Sequence, residues 1–259
     1  MKTTIIATGD AFNSAKFISK FKNINIKGFH CHIGSQIFEK KSFLIAVDKM
    51  TDFYVKIKNK LDINCQIINM GGGFGIYYAD GDAKLSLEDY ANYVKQISIS
   101  LKENVKQKGL NDLFLILEPG RSIVGEAGVT LYTAGRIKKI PNLKNYIAIN
   151  GGMFDNPRYA LYQAKYTVLA AQKMNEKPTL KYTVAGKCCE SGDIIAEDCN
   201  LPEIYEGDLL AVLSTGAYNY SMSSNYNRNV VPPVVMVENG KGYYAVKGQT
   251  DEDIMRNDI

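Results

Sequence analysis

Five short clusters hold most of the side chains able to do chemistry in this 259-residue chain. In order they are His30-Cys31-His32-Ile33-Gly34-Ser35-Gln36, Gly71-Gly72-Gly73-Phe74-Gly75, Glu118-Pro119-Gly120-Arg121, Gly186-Lys187-Cys188-Cys189-Glu190-Ser191-Gly192-Asp193 and Gly216-Ala217-Tyr218-Asn219-Tyr220. Glycines after a strand let the backbone approach a ligand and turn amide N–H groups towards an anion such as phosphate. A tight turn without a ligand is the other reading of the Gly71 run. That run lacks the Lys-Ser/Thr ending of a nucleoside-triphosphate loop. Glu118 and Arg121 set an acid and a base around a rigid turn. They form either a plain ion pair or a carboxylate facing a cationic ring nitrogen, with an arginine nearby for an anion.

His30 and His32 alternate along a strand segment and so point to one face, as core histidines or as pocket groups. Adjacent thiols in an extended segment cannot both face one pocket, and buried, inert cysteine is one reading of Cys188 and Cys189. The carboxylate of Glu190 raises a neighbouring thiol's pKa, which suits a proton donor better than a thiolate nucleophile. Arg158 and Tyr162, four residues apart, share a helix face with Pro157 in the first turn, as a surface pair or as joint ligands.

The elements that must position these clusters alternate in the first half. Residues 24–33, 65–70 and 113–117 read as strands, each ending in one of the clusters. Residues 42–60 have helical periodicity, with Phe43, Ala46, Val47, Met50, Phe53, Tyr54 and Ile57 on one face. Ser86 reads as an N-cap with Asp89 in the first turn, opening a helix through Tyr90, Val94, Ile97 and Leu101. Strand–helix repeats with polar clusters at each strand's C-terminal end predict a parallel α/β sheet or barrel. After Gly125 the pattern changes to short strands at residues 129–140, 146–149, 166–170, 181–184, 208–213, 234–237 and 243–246. Turn residues separate them, including Asn239-Gly240, so a mostly antiparallel β domain is expected from about residue 128.

Composition narrows the function. A net charge of +4 is spread along the chain, without the basic stripe a nucleic-acid binder shows. No apolar run approaches the ~20 residues of a membrane span, and the first ten residues do not make a signal peptide. Five irregularly placed cysteines argue against a secreted disulfide framework and for the cytoplasm. Two histidines in one tripeptide argue against a regularly spaced Cys/His zinc site.

Taken together and in this order, the five clusters resemble the diaminopimelate decarboxylases, pyridoxal-phosphate enzymes of lysine biosynthesis, over residues 8–259. The resemblance implies a fold like that of alanine racemase. Residues 1–127 are then about the last three strands of a (β/α)8 barrel, and residues 128–259 a β domain that contributes to the dimer and the active site. It implies that His32 stacks on the cofactor ring, and that Ser35 and the amides of Gly72 and Gly73 hold its phosphate. Glu118 partners the pyridine nitrogen, and Gly120 and Arg121 belong to the same shell. Arg121, Arg158 and Tyr162 are implied substrate ligands, Glu190 the acid for the distal ammonium, and Cys189 the proton donor. Tyr218 touches cofactor and substrate. Cys189 and Glu190 are implied to enter the pocket of a second copy, making the active unit a homodimer.

The resemblance fails in two places. The family's cofactor lysine lies on an early barrel strand, and nothing before Thr8 supplies it. Lys16 falls in an irregular start whose helix is expected to be short or absent, and Lys187 lies within a motif where lysine is tolerated. Asn150 replaces an aspartate common before Gly-Met. The implied function is decarboxylation of meso-2,6-diaminopimelate to L-lysine by a chain truncated at its N-terminus. The rivals are a decarboxylase of another diamino acid such as carboxynorspermidine, a non-catalytic regulatory relative, and a fragment with no stable fold.

Overall fold

The computed structural model describes residues 4–259. The chain divides into two compact units: one contains residues up to Tyr77 together with Ala83–Ile123, the other contains Tyr78–Asp82 and Val124–Ile259.

The first unit opens with helices α1 (Thr4–Ala7) and α2 (Asp10–Ile18). The start is therefore not irregular. Lys16 lies in the last turn of α2, which buries Ala15 and lays Phe12 under the Lys56 ammonium. Three parallel strands follow in the order β1 (Gly28–His30), β2 (Ile67–Asn69) and β3 (Phe114–Ile116), connected by α3 (Lys40–Leu61) and α4 (Leu87–Gln107). The strands are shorter than their apolar runs, because only three residues of each enter the ladder. Helix α3 buries Phe43, Ala46, Val47, Met50, Phe53, Tyr54 and Ile57, the face its periodicity predicts. Tyr54 reaches between β1 and β2, accepting from the Phe29 amide (2.8 Å) and donating to the Ile67 carbonyl (2.7 Å). Helix α4 begins with a reciprocal Ser86–Asp89 capping box. It buries Tyr93, Ile97, Leu101 and Val105, while Val94 faces solvent, so its apolar face is rotated slightly from the expected one. The short helix α5 (Gly120–Val124) follows β3.

The second unit is built on a six-stranded sheet. Its strands are β4 (Thr130–Ile140), β5 (Lys144–Ile149), β6 (Val168–Ala170), β7 (Leu180–Ala185), β8 (Ile194–Leu201) and β9 (Leu209–Val212), ordered β6-β9-β4-β5-β7-β8. Every pairing is antiparallel except β5 with β7. A parallel pair needs a long crossover, and residues 150–179 supply one, carrying helix α6 (Arg158–Tyr162). Strand β8 has no counterpart in the sequence reading: Glu197, Asp198 and Asn200 interrupt its apolar pattern, although Ile195, Ala196 and Leu201 are buried. The hairpin of β10 (Val234–Glu238) and β11 (Lys241–Val246) turns at Asn239-Gly240, both with positive φ (51° and 73°). That is the two-residue turn whose twist matches the strands. Helix α7 (Asp251–Met255) closes the chain. Among the described residues no helix is long and apolar enough to cross a membrane.

Candidate functional site

In the first unit the sequence-predicted residues meet at the C-terminal ends of the three parallel strands. β1 ends at His30, so His32 lies beyond it and strand alternation does not orient it. Instead His32 Nδ1 accepts from the Gly72 amide at 3.4 Å, and His30 Nδ1 lies 3.6 Å from Glu118 Oε1. The glycines after β2 are what allow this crowding. A β-carbon on Gly71 would stand 2.6 Å from the Cys31 carbonyl oxygen, and one on Gly72 would overlap the Glu118 carbonyl oxygen. Gly73, at φ 100°, packs in the same way against the Gly34 carbonyl. Three loops from three strands thus share one small space that only glycine backbone fits.

Ser35 is held in this space by its neighbours. The Gln36 side chain donates to the Ile76 carbonyl (2.6 Å) and accepts from the Ile76 amide (3.2 Å), while the Ile37 amide donates to Gly73 (2.9 Å). Arg121 donates to Ser35 Oγ at 2.9 Å, bringing a cation and a hydroxyl together beside the glycine loop. Gly120 donates its amide to the Glu118 carbonyl (2.9 Å) and starts α5.

Sequence reasoning missed Asn69. Its side-chain amide donates to Glu118 Oε1 (2.8 Å) and its carbonyl accepts from the Gly71 amide (2.9 Å), so one residue ties the carboxylate to the glycine loop. The signal was available, since Asn69 is the polar end of an apolar strand two residues before the glycines. This donor set suits a phosphorylated, cationic heterocycle: Ser35, Arg121 and glycine amides for an anion, a fixed carboxylate for a ring N–H, and histidine for the ring face. Several lysines of this unit have other partners. Lys27 binds Gln66, Lys58 the Gly109 carbonyl, and Lys108 both Asp48 and Asp52, while Lys40 lies over Tyr93 and Lys84 over Tyr77.

The second unit keeps its own set. Arg158 and Tyr162 lie on α6 but in opposite environments, 7% and 65% exposed. The Arg158 guanidinium sits 4.9 Å from the Tyr78 ring centre and donates to the Tyr166 hydroxyl (2.8 Å), which in turn donates to Asn219 Oδ1 (3.4 Å). Tyr78, Tyr166 and Asn219 were not among the sequence candidates, because an aromatic cage around one arginine leaves no local spacing to detect. Tyr218 adopts a left-handed φ of 69° and is partly exposed. Cys188 turns inward, accepting from the Asn229 side-chain amide at 3.7 Å, and burial pushes its thiol up to about 11. Cys189 and Glu190 are exposed, and the Cys189 amide donates to Asn227 Oδ1 (3.1 Å). The two thiols thus face apart. Asn150 Oδ1 accepts from the Thr133 amide (2.9 Å), a strand-edge role that an aspartate carboxylate would also serve. Among the described residues no His, Cys, Asp and Glu grouping could hold a metal ion. A surface hollow of about 390 Å³ at the β4–β5 turn, lined by residues such as Lys139, Leu143 and Lys181, contains none of these groups.

Parallel strands ending in a glycine cradle, a fixed carboxylate and two histidines give the first unit the donor set of a pyridoxal-binding domain. Residues 6–125 match the family model described as the pyridoxal binding domain of the pyridoxal-dependent decarboxylases. Within that class, the chain is similar to the diaminopimelate decarboxylases. It is 44% identical to diaminopimelate decarboxylase of Bacillus subtilis (strain 168) over 251 residues, covering 97% of this chain and 56% of that protein. The enzyme of Staphylococcus aureus (strain COL) is likewise 44% identical, with 93% and 56% covered. Among solved structures, diaminopimelate decarboxylase from M. jannaschii in complex with L-lysine matches with a TM-score of 0.86 at 32% identity, covering 98% of this chain and 56% of that one. The enzyme from Helicobacter pylori, also with L-lysine, matches at 0.80 and 30%, with 95% and 58% covered. The chain therefore spans just over half the length of these relatives.

Proposed function

We propose that this chain serves the decarboxylation of meso-2,6-diaminopimelate to L-lysine, with pyridoxal 5′-phosphate as cofactor, in a cytoplasmic homodimer. The observation that carries the reading is the meeting of His32, Gly72, Asn69 and Glu118 at three parallel strand ends. The cofactor supplies an electron sink for the pair left on the α-carbon when carbon dioxide departs. Glu118, fixed by Asn69, keeps a proton on the ring nitrogen. His32 covers the ring face, and Ser35, Gly72, Gly73, Gly120 and Arg121 hold the phosphate end. Arg121, Arg158 and Tyr162 bind substrate carboxylate, for which a guanidinium fork is suited. Glu190 accepts the distal ammonium, Tyr218 borders cofactor and substrate, and the Cys189 thiol delivers a proton to the α-carbon after the C–C bond breaks. The outward presentation of Cys189 and Glu190 supports their use in the pocket of a second copy.

The test is turnover by this chain supplied with the segment of the Bacillus subtilis relative that it does not match. Lysine and carbon dioxide released in equal amounts from meso-diaminopimelate, at a rate lowered by Cys189→Ala, is the expected result. Turnover of carboxynorspermidine alone would move the substrate assignment. No turnover of either, with a folded and assembled protein, would leave a non-catalytic relative.

A further inference from the structure

Asp193 closes the cluster that carries Cys189 and Glu190, yet the proposed chemistry makes no use of it. It is 3% exposed. Its Oδ1 accepts from the Met153 amide and its Oδ2 from the Cys188 amide, each at 2.6 Å. Its own carbonyl accepts from the Gly186 amide (2.9 Å). Two glycines make room for the carboxylate. A β-carbon on Gly152 would lie 2.7 Å from Oδ2, and one on Gly186 would overlap both oxygens. The Lys187 amide donates to the Gly151 carbonyl (3.1 Å), and the Lys187 ammonium sits 5.3 Å from the Phe154 ring centre. Residues 151–155 follow β5 and residues 186–193 follow β7, so both loops leave the same end of the one parallel pair in the sheet.

A carboxylate withdrawn from water survives only where donors replace its hydration, and backbone amides aimed at it do so strongly. We infer that Asp193 is a positioning residue whose buried carboxylate clamps loop 151–155 to loop 186–193. The clamp fixes Cys188 inward and presents Cys189 and Glu190 to solvent. Its consequence for proton delivery rests on the decarboxylase reading; the clamp itself does not.

Cys188 reports on the clamp. Its thiol is held high by burial first and by the Asp193 carboxylate next, against the opposing pull of Lys187 and a backbone donor from Phe154. Asp193→Asn removes the charge and points an amide donor at a backbone donor. The experiment is alkylation of the 259-residue chain by iodoacetamide, resolved cysteine by cysteine by fragmentation mass spectrometry across pH, without cofactor or substrate. Asp193→Asn is expected to speed Cys188 labelling about tenfold and to shift its rate profile to lower pH. Buried Cys65, in the other unit, stays unchanged. Gly186→Ala, which displaces the carboxylate but keeps its charge, speeds Cys188 as well. In the unmodified chain, the Met153 and Cys188 amides are expected to exchange with deuterium about 100-fold more slowly than in a free peptide, although both residues are only half-buried. Unchanged Cys188 labelling in the folded variants overturns the inference. If a variant exposes Cys65 too and has therefore unfolded, the native exchange rates decide, and fast exchange at Met153 and Cys188 overturns it. None of these readings depends on turnover, so a wrong decarboxylase assignment leaves them in place.

Discussion

At the scale of single residues, the first unit's site depends on backbone approach as much as on functional side chains. Gly72 shows this most directly. Its missing β-carbon is where the Glu118 carbonyl passes, and its amide faces His32. Gly72→Ala is expected to cost about 1–3 kcal/mol, the usual range for overpacking a close contact. Urea unfolding should show a lower midpoint with an unchanged slope; an unchanged midpoint would mean the three loops are not packed as described. Asn69 makes a second argument. Asn69→Ala leaves Glu118 without its side-chain donor and the Gly71 amide without its acceptor. Glu118 is exposed, so water takes over its lost bond, while Gly71 is buried and its amide is left short of an acceptor, so a loss of about 1–2 kcal/mol is expected. Asn69→Asp, which restores the acceptor for Gly71 and sets a second carboxylate beside Glu118, should not recover it. The same urea titration separates the two variants.

At the scale of elements, much of the chain is legible in its sequence, and the exceptions have physical causes. The buried face of α3 follows from its periodicity, and the Asn239-Gly240 hairpin from its turn residues, because both signals are local. Strand β8 was illegible because it is paired on one side only, by β7, and carries charged residues where alternation would put apolar ones. Helix α2 is short, as one of the two expectations had it, and its start reads as irregular because its nine residues bury only Ala15 fully, with Ala11 and Phe12 packed partly against the core. Helix α4 shows a legible start with an energetic consequence. Asp89 accepts from the Ser86 amide and hydroxyl, which hold its carboxyl below the usual aspartate value. A depressed folded-state pKa stabilises the fold above the ordinary value of about 3.9 and loses that contribution as pH falls through the lowered one. Ser86→Ala should therefore cost about 1 kcal/mol at neutral pH, as lost N-caps do. The gap from wild type should narrow in urea titrations at pH 3. A gap independent of pH would mean that the cap acts through the serine alone.

At the scale of the whole molecule, the question is where the cofactor's lysine comes from. The candidate clusters stand out in the sequence because each follows a strand with its glycines, but a chain matching 56% of a relative such as that of Bacillus subtilis need not contain every residue it uses. Several of its lysines have named partners that are not residues of the glycine cradle. In the first unit Lys27, Lys58 and Lys108 are held by Gln66, a carbonyl and two aspartates. In the second, Lys139, Lys144 and Lys173 pair with Glu203, Glu197 and Asp208, and Lys187 covers Phe154. Lys139, Lys144 and Lys173 are shifted upwards, chiefly by these hydrogen bonds, and so keep their protons at neutral pH. A protonated amine does not attack an aldehyde, so none of these three is prepared to capture pyridoxal phosphate. Borohydride reduction of the chain with pyridoxal phosphate, followed by peptide mass spectrometry, should therefore give scattered, substoichiometric labelling of surface lysines. Supplying the unmatched segment of the Bacillus subtilis relative should concentrate the label on one lysine of that segment. A single stoichiometric adduct on this chain alone would mean that it builds its own cofactor site, and that one of its lysines reaches Glu118 and His32 by rearrangement.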